Sequence, residues 1–456
     1  MYFADLQSFL AHLDKHDNLA TVKVPVDPYL EIAAIVDRVC KSPGDAQALL
    51  FENVKGYKLP LAANLFGSQQ RVALALGVAD VEELACRLRN DLKAYNGVTA
   101  GQALVQLTAT CASETFPPRT APCFKTDVST IGLDGFPALH SWPGDGGRYL
   151  TLGQVFTRHP GSSRLNCGMY RVQILGKHTA LMRCHSGSGG GAHMAAWHEQ
   201  GKAMPLAIVL GGPPALTWCA GTSLPDEVSE LEFMSYLTGQ SISVSQCRDS
   251  DLQVPTSSEI VIEGYINPGE EKTEGPFGNH TGYYIPATPA PMIRITSVFT
   301  REAAVYPCTV VGPPPMENMY LAQATERLIL PLLQHDHPWI IDIHMPLQGI
   351  YHRAALVSVD APHGSMRDLG KVLRQTLLLR NSRLIVLLDK DTDLREFSKI
   401  YWHLVNADSW VKSVLIDSDK MTIDARNMSH GAKVRPEQAI LNQVIKRWQE
   451  FSLGEV

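Results

Sequence analysis

The densest run of chemically capable side chains is the segment 164–193, RLNCGMYRVQILGKHTALMRCHSGSGGGAH. An amide, Asn166, and a guanidinium, Arg171, bracket what reads as the start of a strand. Alternation then places Arg171, Gln173 and Leu175 on one face. His185 and His193 flank the glycine loop Gly187–Gly191. Glycines let a backbone approach a ligand closely, and successive N–H groups can cradle a phosphate; a merely flexible loop has the same composition. No GKS or GKT follows, and no GxGxxG opens a dinucleotide-binding helix, so neither nucleotide motif applies. Glu230, in LPDEVSELEF, falls at a helix start, where a solvated glutamate is the plain alternative. Asn166, one of the two histidines and Glu230 would form a mixed oxygen and nitrogen set. Such a set suits Mn²⁺ or Mg²⁺ more than structural zinc, although spacing alone does not bring the three together.

A second cluster runs from Glu270, Glu271 and Lys272 into Glu274-Gly275-Pro276-Phe277-Gly278-Asn279-His280-Thr281-Gly282-Tyr283-Tyr284. Its composition fits a functional loop and a tight turn with a surface glutamate equally well. Other groups are weaker. His335, Asp336, His337, Asp342 and His344 straddle a proline and a strand start, a poor geometry for a metal. His193 and His198 do not form HExxH, and no serine sits in a GxSxG elbow. Nine cysteines, an odd number without a CxxC pair, read as reduced thiols and not as a disulfide framework or zinc ribbon.

These groups need a large scaffold, and the composition provides one. The chain has 456 residues with 40 basic and 46 acidic side chains, a formal charge of −6. That balance excludes a nucleic-acid binder working by bulk positive charge. With 45% hydrophobic and 19% charged residues it is not an acidic disordered chain. No apolar run reaches the ~20 residues of a membrane span, and the N-terminus reads as an amphipathic helix with Leu6, Phe9, Leu10 and Leu13 on one face. A cytoplasmic protein is expected, with peripheral membrane contact through a hydrophobic substrate left open.

Asp27-Pro28 is expected to open a helix with Ile32, Ile35, Val36 and Val39 inward, and Asp80 with Glu83 to form a capping box. From residue 150 strands are expected at Met169–Leu175, Pro205–Leu210, Glu259–Ile266, Pro291–Phe299 and Ala303–Val311. The run Gly312-Pro313-Pro314-Pro315 is a stiff break before a helix carrying Leu321, Leu328 and Leu332, which Pro331 should kink. Strand Ala354–Val359, helix Met366–Leu379 and strand Arg383–Leu388 then suggest a smaller α/β unit.

Taken together and in order, these segments resemble the UbiD family of prenylated-FMN-dependent decarboxylases. The carriers are Asn166-Cys167-Gly168-Met169-Tyr170-Arg171, the glycine and histidine loop, LPDEVSE at 224–230, EGPFGNHTGYY at 274–284, VVGPPPME at 310–317 and IIDIHMP at 340–346. The resemblance covers nearly the whole chain. It implies an α/β protein in which residues 1–312 form a cofactor domain with a split-barrel-like β core, 313–336 a linker helix, and 337–456 a smaller α/β oligomerisation domain.

The resemblance further implies prenylated FMN whose phosphate is held through Mn²⁺ (or Mg²⁺) by Asn166, His185 and Glu230, with His193 as the alternative histidine. It implies a K⁺ ion near Cys167 and Thr222 that shares Glu230. Met169, Tyr170, Arg171, Gln173, Gly189 and Gly190 would complete the cofactor site. The family's catalytic Arg-Glu-Glu/Asp network maps onto Arg171 and Glu274, but its third member is Asn279 here. An amide cannot shuttle a proton near neutral pH, so Glu274, His280 or water would have to deliver it. The implied activity is reversible decarboxylation of an aromatic acid, hydroxylated and of a quinone-precursor type. A carboxylase or a non-catalytic subunit of a multi-subunit carboxylase is the alternative. The implied partners are the acid, a flavin prenyltransferase that supplies the cofactor, and further copies of the chain, from dimer to hexamer; nucleic acid is not among them.

Overall fold

The structure is a computed structural model that describes every residue except 45, 110, 112–113, 118–119, 163–164, 186, 362–363, 407–409, 427–435 and 452–456. Arg164 and Ser186 of the glycine-rich segment therefore lie outside the described residues.

The chain opens with helix α1 (Leu6–Lys15), capped by the Asp5 carboxylate and burying the four apolar residues of the expected face. The next helix, α2 (Glu31–Cys40), starts later than Asp27-Pro28 suggests. Asp27 closes a local turn by accepting from Tyr29 N, and Leu30 takes a left-handed φ of 65°, so helical geometry begins only at Glu31. Ile32, Ala33 and Val36 are buried, while Ile35 and Val39 are only half-buried. Helix α3 (Val81–Leu92) has the full Asp80–Glu83 capping box.

The central sheet comprises β1 (Tyr149–Leu150), β2 (Gln154–Arg158), β3 (Leu165–Met169), β4 (Val172–Gly176), β5 (Thr179–Met182), β6 (Met204–Gly211), β7 (Ser258–Glu274) and β8 (Thr288–Thr300). Its order is β1-β4-β5-β8-β7-β6-β2-β3, with short Thr126–Asp127 added to β8. The single strand expected over Met169–Leu175 is thus two strands near opposite ends of this order, joined only by Tyr170 and Arg171. From Met169 to Val172 the chain can span roughly 11 Å at most, so the sheet must curl until its ends nearly meet. That is a barrel with a seam, and Arg171 sits in the seam.

Both faces of the curled sheet are buried. Leu206, Ile208, Leu210, Ile260 and Ile262 fill one core cluster, and the alternating Ala207, Val209 and Val261 face another that holds Phe9, Leu84, Leu88, Trp218 and Leu328. The expected strand Ala303–Val311 is mostly irregular: Ala303 has φ 50° and only Tyr306–Pro307 pairs. The glycine loop is corrected too. Its last three glycines form the first turn of helix α4 (Gly189–Glu199), because Ser188 caps the helix by accepting from Gly191 N.

Helix α5 (Glu230–Thr238) begins at Glu230, as the sequence suggests. Helix α6 (Glu317–Asp336) runs through Pro331 and leads to a five-stranded sheet, β9 (Ile340–His344), β10 (Ala354–Val359), β11 (Leu384–Asp389), β12 (Val414–Asp417) and β13 (Lys420–Asp424), ordered β9-β10-β11-β13-β12. Helix α7 (Met366–Gln375) stops before Leu379, because Thr376 turns extended and its hydroxyl donates to Leu373 O. No helix among the described residues is long and apolar enough to cross a membrane.

Candidate active site

Two polar assemblies meet at the barrel seam. In the first, Arg171 grips Glu274 with two parallel hydrogen bonds, Nε to Oε1 at 2.8 Å and Nη2 to Oε2 at 2.7 Å. Glu274 is the last residue of the 17-residue strand β7 and is fully buried. A buried carboxylate survives only when paired, and this fork-to-fork geometry is the strong form of pairing. The guanidinium also lies over the Phe277 ring, 4.7 Å from its centroid. Nη1 of Arg171 makes no hydrogen bond among the described residues, which leaves donors for an anionic ligand.

The loop after Glu274 is held by backbone-directed contacts. Gly275 has φ 94°, a conformation that favours glycine. Its N–H donates to Gln173 Oε1, and Gln173 Nε2 donates to Gly146 O. Both ends of the Gln173 amide are therefore engaged with main chain, and Gln173 does not line the neighbouring cavity. Gly146 N and the Tyr149 hydroxyl both donate to Pro276 O, while Asp145 accepts from Gly278 N and Trp142 N. Burial pushes the Asp145 carboxyl upward; burial, followed by the charge of Glu274, does the same to the Tyr149 phenol. Sequence reasoning missed the clamp 142–149. Its only signal was a Gly, Pro and Asp cluster resembling any turn.

Asn279 and His280 sit further along this loop. Asn279 Oδ1 accepts from the Thr281 N–H and hydroxyl, which leaves its amide nitrogen as the group able to meet a ligand. His280 stacks near Tyr351 and His352 of the C-terminal half, with ring centroids 6.4 and 5.2 Å away. Burial, then the charges of His352 and Arg353, lower its pKa to about 4, so the ring is neutral near pH 7. Its Nε2 is buried without a partner.

The second assembly is a cavity of 760 Å³. Asn166, Met169, Tyr170, His185, Gly189, His193 and Glu230 all line it, so residues from β3, α4 and the start of α5 converge there. Arg171, Glu274 and Gly190 stand behind or beside this wall; the Gly190 N–H donates to the Tyr170 hydroxyl. Glu230 Oε2 accepts from Cys167 N at 2.9 Å. Of the two histidines, His185 is exposed, whereas His193 is buried with Nδ1 3.0 Å from the Thr157 hydroxyl. Asn166 Nδ2 is buried and unpartnered. A Cβ at Gly189 would collide with Asn166 Oδ1, so glycine lets the helix terminus close on the amide. Among the described residues no three His, Cys, Asp or Glu side chains cluster, so a cation here needs an amide or backbone ligand. His335, Asp336, Asp342 and His344 instead contact Val98 O, Ala100 N, Arg327 with Arg395, and Glu326. None of the nine cysteines is paired in a disulfide, and burial, then Glu230, raises the Cys167 thiol.

Four lining residues come from the C-terminal half: His352, Leu377, Arg380 and Asn381. The Arg380 guanidinium is exposed and has no ion-pair partner among the described residues. In the run LLLRNSRL nothing distinguishes it from an ordinary surface cation.

Comparison with known proteins fits this geometry. Three models of the 3-octaprenyl-4-hydroxybenzoate carboxy-lyase, UbiD, match in order: its N-terminal domain at 10–88, its Rift-related domain at 115–314 and its C-terminal domain at 319–435. An uncharacterized protein of Archaeoglobus fulgidus is 35% identical over 91% of this chain and 86% of its own. The UbiD-class enzyme HmfF of Pelotomaculum thermopropionicum, solved in an evolved dimeric form with prFMN, superposes with a TM-score of 0.81 at 26% identity, over 96% of this chain and 98% of that one. Vanillic acid decarboxylase of Sedimentibacter hydroxybenzoicus, in a closed form, shares the fold over the whole of both chains, with a TM-score of 0.89 at 22% identity. The chain belongs to the UbiD family of carboxy-lyases.

Proposed function

We propose that the protein is a prenylated-FMN-dependent enzyme that reversibly decarboxylates a hydroxylated aromatic acid of a quinone-precursor type. The observation that carries this reading is the buried, bidentate Arg171–Glu274 pair beside a cavity with a mixed donor set. The residues present fit a metal-bound phosphate. An unmet buried N–H donor at Asn166 is costly, and a bound phosphate would accept from it while Oδ1 is the atom able to ligate a cation. The N-terminus of α4 favours an anion, and its glycines let one approach. Asn166, Glu230 and a histidine would hold Mn²⁺ or Mg²⁺. We favour His193 over His185, because Thr157 fixes its Nδ1 and so orients the ring as a ligand-supporting contact does. K⁺ would lie near Cys167 and Thr222.

When bound, the prenylated flavin supplies an electron sink for the charge that loss of CO₂ leaves on the ring. The chain's own residues do the rest. Arg171 orients the substrate carboxylate through Nη1 while its other edge keeps Glu274 in place. Glu274, buried behind the cavity wall, takes up a proton and delivers it to the carbon that CO₂ leaves. Asn279 donates its N–H to a substrate hydroxyl or carboxylate. His280, neutral, offers a single hydrogen bond and is a weaker proton donor than Glu274. We place the cofactor unit at 1–312, the linker at 313–336 and an oligomerisation unit at 337–456, in a cytoplasmic homo-oligomer whose cofactor comes from a flavin prenyltransferase. The presence of Asn279 where a carboxylate is expected favours one second reading, a non-catalytic subunit.

The test is co-expression with a flavin prenyltransferase and anaerobic purification, followed by absorbance, cofactor mass and deuterium exchange into aromatic acids. Prenylated flavin with exchange is expected. Flavin without exchange supports the non-catalytic subunit, and absence of both overturns the proposal.

A further inference from the structure

Tyr149, on β1, carries a hydroxyl that packing alone does not call for. The residue is buried, and its ring lies 4.7 Å from that of Phe277, which also carries the Arg171 guanidinium. A phenylalanine would fill the same space. The hydroxyl donates to Pro276 O at 3.1 Å, but that carbonyl already accepts a shorter bond of 2.7 Å from Gly146 N. The carbonyl therefore keeps a partner if the hydroxyl turns away. The group it can turn towards is the Glu274 carboxylate, which acts on the phenol by charge and by hydrogen bonding.

The charged groups around Glu274 can serve only one of its two protonation states. Arg171 grips it from the seam, and Arg183 donates to the hydroxyl of Thr288, the register partner of Glu274 on β8. An arginine only donates, so neither can accept from a protonated carboxyl. Asp145, on the clamp 142–149, has its oxygens engaged by Gly278 N and Trp142 N. The Tyr149 oxygen has both a proton and lone pairs. We propose that Tyr149 is a positioning residue for the reaction, its hydroxyl donating to Glu274 when ionised and accepting from it when protonated. Glu274 gives its proton to the carbon that CO₂ leaves, and the hydroxyl turns from Pro276 O to the carboxylate. It turns back once solvent has restored the proton. Tyr149 is not a relay, because Pro276 O has no proton to pass on. This deepens the decarboxylase reading and rests on it.

The experiment follows Glu274 by infrared difference spectroscopy against pH, on the full chain as purified with the flavin prenyltransferase. The stretch of the protonated carboxyl is identified by its loss in Glu274→Gln. Tyr149→Phe removes a charge-assisted bond from the ionised form but only a neutral one from the protonated form. The band should therefore persist to a pH higher by about one unit. The alkaline limb of deuterium exchange should move with it. A fluorinated tyrosine at position 149, a stronger donor, should move both the opposite way, and it serves should Tyr149→Phe fail to fold. Tyr284→Phe is the control: its hydroxyl accepts from Gly144 N and ties down the same loop, so its loss should leave the band in place. A band unmoved in both Tyr149 variants, or moved equally in Tyr284→Phe, overturns the proposal. So does a displaced band with an unmoved exchange limb, which leaves the decarboxylase reading intact. Failure of that reading has a different signature: the band moves as expected, but the unaltered chain shows no exchange.

Discussion

The two polar assemblies at the seam are finished to different degrees. At the reacting end, Arg171 and Glu274 satisfy each other, and the following loop is tied down by Gln173, Asp145 and Tyr149. At the other end, Asn166 converges with Glu230 and His193 on a cavity, yet its amide nitrogen has no partner. The first is preorganised by protein alone, as electrostatic catalysis requires. The second carries an unmet N–H donor, as a site completed by a phosphate does. Substitutions at the two ends should therefore fail differently.

The largest effect is expected at the preorganised end. Glu274→Gln keeps the side chain's shape but removes the proton carrier, and turnover should fall by about a thousandfold or more, at the upper end of general acid–base effects. Flavin absorbance should persist, because Glu274 does not line the cavity. Near-normal exchange would remove Glu274 from its role.

At the unfinished end the order reverses. Asn166→Ala or Glu230→Gln should lower metal and flavin content together by about ten- to a hundredfold, measured by elemental analysis and absorbance on the same sample. His193→Ala should follow them while His185→Ala should not; the opposite pattern would return the ligand to His185. Arg380→Ala should weaken flavin retention by a few-fold, less at high salt, since an exposed cation acts through screened charge.

The same contrast shows what was legible in the sequence. The residues of both assemblies could be named from their types, because Asn166, Arg171, Glu230 and Glu274 lie in glycine-bounded segments. Their convergence could not. It depends on the sheet curling until β3 and β4, adjacent in sequence, sit near opposite ends of the strand order. Short-range alternation reads those residues as one strand, and no local signal marks the crossing at Tyr170-Arg171. The glycine loop misled for a related reason. Three glycines in a row have poor helix propensity, but the Ser188 cap and the need to pack on Asn166 and Tyr170 impose a helix. The clamp 142–149 and Arg380 act through backbone contacts and a long-range approach, which composition does not encode.

Asn279 separates the two ends more finely. Its Oδ1 already serves the Thr281 turn, so Asn279→Asp would keep that contact and exchange an N–H donor for a negative charge. That charge would stand beside the proposed position of the substrate carboxylate. A loss of about ten- to a hundredfold in kcat/KM is expected, with flavin binding intact. A gain would mean that the site works better with a third carboxylate.

The smallest effect concerns pH. His280 has its pKa lowered to about 4 by burial and by His352 and Arg353, against the usual 6.5. Between those values the unfolded chain binds the proton and the folded chain does not, so stability rises with pH through this window and is lost as pH falls from about 6.5 to about 4. The shift corresponds to at most about 3 kcal/mol. Carboxylates titrate in the same range, so the informative quantity is the difference between the unaltered chain and His280→Gln. The variant should lose less thermal stability on acidification, by a few degrees in Tm, and should show no change in metal content. An identical pH dependence would mean that His280 titrates in the folded protein as it does in the unfolded chain, so that burial does not hold it neutral below about pH 6.5.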